Sequence, residues 1–225
     1  MARSRFGERS KPRRQGRRRV QRTRVLIVCG GDVTEYEYFQ YVKDRLGASG
    51  VQISIERHGE SPLRVLGRAI HLRDQDRAEA KRLGDRDNVF NAVWVVVDHD
   101  NFDSEIPRLL KEARNNGVEV AFSNPCFEYW LVLHKTRRVG YLSTGEAQSL
   151  ARSEGLVHGR KHKNVRTEQL EGRFESAEAN AERSRREHLD ANRKSTDNPS
   201  TTADRLVRSL IKAESRRRPG FQHGL

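Results

Sequence analysis

This sequence has few of the features that mark membrane, secreted or zinc-binding proteins. Its longest apolar runs, "VLIVC", "VWVVV" and "WLVLH", fall far short of the roughly 20 residues a helix needs to cross a bilayer. The N-terminus is rich in arginine but has no apolar segment of the kind a secretory signal requires, so the expected location is the cytoplasm. Only two cysteines occur, Cys29 and Cys126, too few for a disulfide framework, and neither has the partner spacing of a zinc site. The "GGD" at Gly30 to Asp32 lacks both the Gly-x-Gly-x-x-Gly fingerprint and a P-loop lysine, so nucleotide binding of the Rossmann type ranks last among the readings.

Acidic residues are outnumbered: 44 Lys and Arg stand against 31 Asp and Glu, a net charge of +13. Most of that excess is local. From Met1 to Arg22 ten basic residues face one acid, Glu8, which accounts for +9 and leaves only +4 for the rest. Residues 1–23 have almost nothing to bury and read as a disordered basic tail, able to meet phosphates through charge or simply to keep the chain in solution. Charge alone does not make the remaining body a nucleic-acid binder.

From Arg24 onward the patterns are those of an α/β domain. "RVLIVC" is a short run of branched apolar residues, as in a strand covered on both faces. "DVTEYEYFQYVKDRLG" follows as a helix, with Asp32 and Glu35 at capping-box spacing and Gly47 as its stop. "VQISIERHG" alternates as a second strand, and "SPLRVLGRAIHLRDQDRAEAKRL" opens a helix on Ser-Pro. "NAVWVVVDHD" is the third strand, and "DSEIPRLLKEARNNG" a helix in which Asp103 or Ser104 is placed to cap. "VEVAFSNP" then gives a fourth strand and "FEYWLVLHK" a short helix.

Alternation of strand and helix predicts a mostly parallel sheet of about four strands sandwiched by helices. Beyond Val139 strand signals stop. "STGEAQSLARSEG" reads as a helix, and Thr167 to Lys194 as a long polar helix whose thin stripe of Leu170, Phe174, Ala177 and Ala181 suits a surface or partner-facing position. "NPSTTADRLVRSLIKAE" starts a final helix. The expected division is a basic tail 1–23, an α/β core 24–140, a helical C-terminal extension 141–215 and a frayed end 216–225.

The chemistry is expected where strands end. In an open parallel sheet, ligands gather beyond the carboxyl ends of the strands, where loops are free of core packing. Residues two apart in an extended chain face the same way, so Asp98 and Asp100 can approach one site while His99 points elsewhere. Two hard oxygen donors at that spacing suit Mg2+ or Mn2+. The first strand ends in Gly30, Gly31, Asp32 and Glu35, and the fourth in Asn124 and Glu128. Each has a plainer alternative: Asp32 and Glu35 as a capping box, Asn124-Pro125 as a turn, and Glu128 as a buried acid needing a partner such as Arg137 or Arg138. His134 reads as a core histidine. Arg160, Lys161 and Lys163 in "GRKHKNVR" are candidates for nucleic-acid backbone contact or for plain solvation.

Four motifs, "VLIVCGGDVTEYEYF", "VWVVVDHDNF", "AFSNPCFEYWLVLH" and "NPSTTADRLVRSL", occur in the order in which the RloB-like family carries them, and over roughly Arg24 to Ile211 the chain resembles that family, whose core is similar to the Toprim fold. The resemblance implies a metal-dependent nuclease-type site, with a glutamate after the first strand as general acid or base and Asp98 and Asp100 as the magnesium pair. It also implies an effector of bacterial anti-phage, abortive-infection defence, often beside an ABC- or SMC-type ATPase. Related Toprim effectors cut RNA, including tRNA.

Gly31, Thr34, Glu35, Asn124, Pro125, Phe127 and Glu128 match the family's pattern, but where the family reads "CEGE" this chain reads "CGGD", so the expected catalytic glutamate falls on Gly30. Either a neighbouring acid, Asp32 and then Glu35, takes over its work, or the chain is an inactive form. The alternative function is a non-catalytic subunit of the same fold that binds nucleic acid or an ATPase.

Overall fold

The computed structural model of the protein describes residues 22–47, 50–99, 102 and 104–225. The expected basic tail therefore lies outside the described residues apart from its last two, as do Asp100 and Asp103.

Five strands make the main sheet. β1 (Thr23–Cys29), β2 (Val51–Arg57), β3 (Ala92–Asp98) and β4 (Glu119–Asn124) are parallel in the order β2-β1-β3-β4. α1 (Thr34–Leu46), α2 (Pro62–Arg82) and α3 (Ile106–Asn116) connect them. α4 (Phe127–Leu133) and α5 (Thr144–Ser153) follow, then a small hairpin of β5 (Val157–His158) and β6 (Asn164–Val165). α6 (Phe174–Asp190), β7 (Ser200–Thr201) and α7 (Ala203–Ser215) complete the described chain.

Period-two alternation along the strands builds two cores. Val25, Ile27, Trp94, Val96 and Ala121 face one layer of helices with α1, α4, α6 and α7. Leu26, Val28, Val93, Val95, Val97 and Phe122 face the other, with α2 and α3. The predicted sandwiched, mostly parallel α/β sheet is present, a topology consistent with Rossmann- or Toprim-like arrangements. No helix among the described residues is long and apolar enough to cross a membrane.

Several local expectations are corrected. The sheet has a fifth member, β7, which pairs antiparallel with the outer edge of β4 through Ser123–Thr201 and Asn124–Ser200. Thr167 to Lys194 is not one helix: a short 3-10 turn at Thr167–Gln169 precedes α6. Its small-residue stripe is no surface feature, because Leu170, Phe174, Ala177 and Ala181 are all buried in the larger core. Residues 216–225 do not fray but return to the body, with Leu225 buried and its carbonyl accepting from the Phe174 N–H at 3.4 Å. Val33 is the N-cap of α1, with no side-chain cap bond, so Asp32 and Glu35 form no capping box. The N-cap of α3 is Glu105, not Ser104. The capping box in this fold is at α5, where Ser143 and Glu146 satisfy each other's backbone N–H groups.

Candidate functional site

β1 connects to β2 on one side of itself while β3 lies on the other, so the chain changes direction across the sheet between β1 and β3. At such a switch point adjacent loops part and leave a crevice beyond the strand ends. A cleft of about 340 Å3 occupies this place, lined by Gly30 to Glu35 from the β1–α1 turn, by Val97 and Asp98 at the end of β3, and by Glu60, Pro62, Phe102 and Lys163.

The turn after β1 is tight. The Gly30 N–H donates to the Val96 carbonyl at 2.8 Å, and a Cβ on Gly30 would stand 3.2 Å from that same oxygen. Gly31 leaves the space that the Glu35 carboxylate occupies, and Gly59 leaves the space for Asp32, whose Oδ1 would lie 2.5 Å from an added Cβ. Glu35 is buried and Asp32 exposed. The two acids thus sit in different seats on one wall, each made by a missing side chain.

Lys163 enters from the loop between β5 and β6. Its Nζ donates to Oε1 of Glu128 at 2.7 Å, with the lysine side chain 41% exposed and the carboxylate side 3% exposed. Glu128's partner is therefore Lys163, not Arg137 or Arg138; Arg137 instead pairs with Glu187 at 2.5 Å. Glu128 lies behind the lysine and does not line the cleft. Burial works against the Lys163 charge, but the negative charges of Glu128 and Glu35 outweigh it and hold the ammonium pKa above its ordinary value.

The remaining sequence candidates separate. Asn124 is drawn to the C-terminal region, donating to the Thr196 carbonyl at 3.0 Å and accepting from Asn198 at 3.1 Å, and its peptide bond to Pro125 is cis. Lys161 is exposed and lies outside the cleft lining, while the Arg160 side chain lies outside what is described. His134 is the expected core histidine: Nδ1 meets the Trp130 carbonyl at 3.1 Å, and burial lowers its pKa to about 4. Burial, and then Glu35, push the Cys29 thiol well up, so this buried thiol is a poor source of thiolate.

Sequence reasoning missed Glu60, which adds a fourth described carboxylate to the cleft beside Asp32, Glu35 and Asp98. Its signal was available, because it follows β2 by three residues and so reaches the same rim as every other parallel strand end. Among the described residues no group of three or more His, Cys, Asp and Glu side chains is placed to hold a metal ion. Magnesium, however, asks for only one or two protein carboxylates, with water and phosphate completing its shell. The cleft's all-oxygen acidic donors suit that hard ion and lack the nitrogen and sulfur ligands of a zinc site.

The sequence model of the RloB-like protein family matches residues 25–210. The chain belongs to the RloB-like family. The match begins in β1 and ends within α7, so the family unit takes in both the sheet and the C-terminal helices that complete its core. Comparison of this RloB-like chain with curated proteins and with solved structures gives no match.

Proposed function

We propose that this RloB-like protein is a magnesium- or manganese-dependent phosphodiesterase that cuts RNA, tRNA being the favoured substrate, as a cytoplasmic effector of bacterial anti-phage defence. The observation that carries this reading is the convergence of Asp98, from the end of β3, with Asp32 and Glu35, from the turn after β1, on one cleft at the sheet's switch point. Nuclease chemistry needs a hard-ion ligand and a proton carrier side by side, and this rim supplies carboxylates for both.

Asp98, together with Asp100 beyond the described residues, would hold the ion, which supplies charge neutralisation at phosphate and a more acidic bound water. Asp32 is exposed at the cleft wall and is the first candidate to take a proton from the attacking water or deliver one to the leaving oxygen. Glu35, buried beside it and close enough to Lys163 to raise its pKa, is the second. Phe102 and Pro62 give the cleft apolar walls that limit water around the reacting phosphate.

One observation favours a second reading. Gly30 places no carboxylate where the family motif has its glutamate, which suits a non-catalytic subunit that binds RNA or an ATPase. Incubation with total tRNA and with duplex DNA, with and without magnesium, separates the two. The enzyme reading expects RNA cleavage lost in Asp98→Ala. Cleavage only by a Gly30→Glu variant would mark a disabled site, and none by either protein would overturn the enzyme reading.

A further inference from the structure

The β5–β6 loop has an unusual backbone. Gly159, Lys161 and His162 all have positive φ, at 73°, 63° and 50°. Two consecutive non-glycine residues in the left-handed region are disfavoured, and such strain persists where surrounding contacts over-determine it. Those contacts are present on α1. The Thr34 hydroxyl donates to the Lys163 carbonyl at 3.0 Å, while Glu37 accepts from the Asn164 amide at 2.6 Å and from the Val165 N–H at 2.8 Å. The loop is thereby fixed to the first turn of the helix that carries Glu35.

The clamp sends Lys163 inward. Among the described residues lining the cleft it is the only cation, facing Asp32, Glu35, Glu60 and Asp98. A lysine ammonium has three N–H donors, and Glu128 takes one from behind. The lysine side chain is 41% exposed and lines the cleft, which makes the other two available to a ligand there. A cleft lined otherwise by acids repels a phosphodiester, so an ammonium pinned at its wall gives the substrate an attractive point besides any bound ion.

Resting on the phosphodiester reading above, we propose that Lys163 seats a substrate phosphate in the cleft and that Glu128 is its positioning residue rather than a proton carrier. Of the two readings the sequence left open for Lys163, backbone contact and plain solvation, this takes the first and fixes its place at the cleft wall, while Glu128 acts only through it. Glu128 takes one of the ammonium's three donors and holds the head group in place, leaving two donors for a phosphate.

The test measures binding of a labelled oligouridylate across a salt series, with calcium replacing magnesium. Removing one lysine that neutralises a phosphate of a single strand lowers the slope of log affinity against log salt by about 0.7. The slope is expected to fall by that amount in Lys163→Gln and to be kept in Lys163→Arg. Glu128→Gln alone is expected to weaken binding severalfold without changing the slope, and to add nothing in the double variant Glu128→Gln/Lys163→Gln. That double variant removes both charges and keeps a hydrogen-bonding amide pair, so it carries the test if Lys163→Gln fails to fold. An unchanged slope in a folded variant lacking the lysine overturns the proposal. Cleavage of tRNA by the wild type with an unchanged slope removes Lys163 from an active site; no cleavage with a lowered slope keeps the lysine as a phosphate-binding group and removes the enzyme.

Discussion

Arg185 of α6 and Asp204 of α7 form a two-pronged pair, Nη1 to Oδ1 at 2.8 Å and Nη2 to Oδ2 at 2.7 Å, with both side chains almost fully buried. Arg185 also donates to the Thr201 carbonyl in β7. One guanidinium therefore joins both long C-terminal helices to the edge of the main sheet. Removing one member of such a pair leaves the other buried and uncompensated. Asp204→Ala is expected to lower unfolding stability by about 3 to 5 kcal/mol, measured by denaturant titration. Arg185→Met/Asp204→Leu should recover most of that stability, and a double variant as unstable as the single one would contradict this account.

His134 makes stability depend on pH. Its folded pKa of about 4 lies below the ordinary 6.5, mainly because burial disfavours the charged ring. The unfolded chain therefore binds more protons than the folded one between these values. The contribution is complete above pH 6.5 and is lost as pH falls toward 4, by about 3 kcal/mol at most. Denaturation midpoints measured across that window should fall in the wild type, with a clearly shallower slope in His134→Phe, which keeps an aromatic ring against Trp130 and Tyr38.

The seats of Asp32 and Glu35 offer a way to identify the proton carrier without touching either acid. Gly59→Ala should push the Asp32 carboxylate aside, and Gly31→Ala that of Glu35. If Asp32 carries the proton, Gly59→Ala and Asp32→Asn each reduce the single-turnover rate on tRNA by about a hundredfold, the usual scale for such a group. A larger drop in Gly31→Ala and Glu35→Gln than in the other two would assign the role to Glu35.

Gly30 is a packing residue as well as a gap in the motif. A Cβ there meets a strand carbonyl that has little room to move, so Gly30→Ala is expected to cost about 1 kcal/mol of stability by denaturant titration. Gly30→Glu should cost at least as much, and any activity it restores would then appear in a less stable protein.

The first four strands and their connecting helices were legible because their signals are long and local: runs such as "VWVVV", a Ser-Pro helix start, glycines at helix ends. β7 was not, since two residues show no period and Ser200–Thr201 is a strand only because β4 lies beside it. α6 misled for a related reason. Ala177 and Ala181 look like a poor apolar stripe, but small residues let α6 approach α4 closely, where Tyr129 and Ser184 share a hydrogen bond at 3.0 Å. The acidic rim follows from parallel strands ending together: Asp98, Asp32 and Glu35 line one cleft, while Asn124 and Glu128, expected there from the fourth strand, do not. Lys163 was not readable as Glu128's partner, because 35 residues separate them and a hairpin of two-residue strands makes the connection.

The two outer margins of the main sheet are unequal. Beside β4, Ser200 and Thr201 complete the ladder, and the Thr202 hydroxyl bridges the Phe122 N–H and the Val120 carbonyl. A strand offered by another polypeptide would find those backbone groups already engaged. β2, the opposite border, is seven residues long and among the described residues has a neighbouring strand on one flank only, so it offers strand addition a longer edge than the two-residue β7.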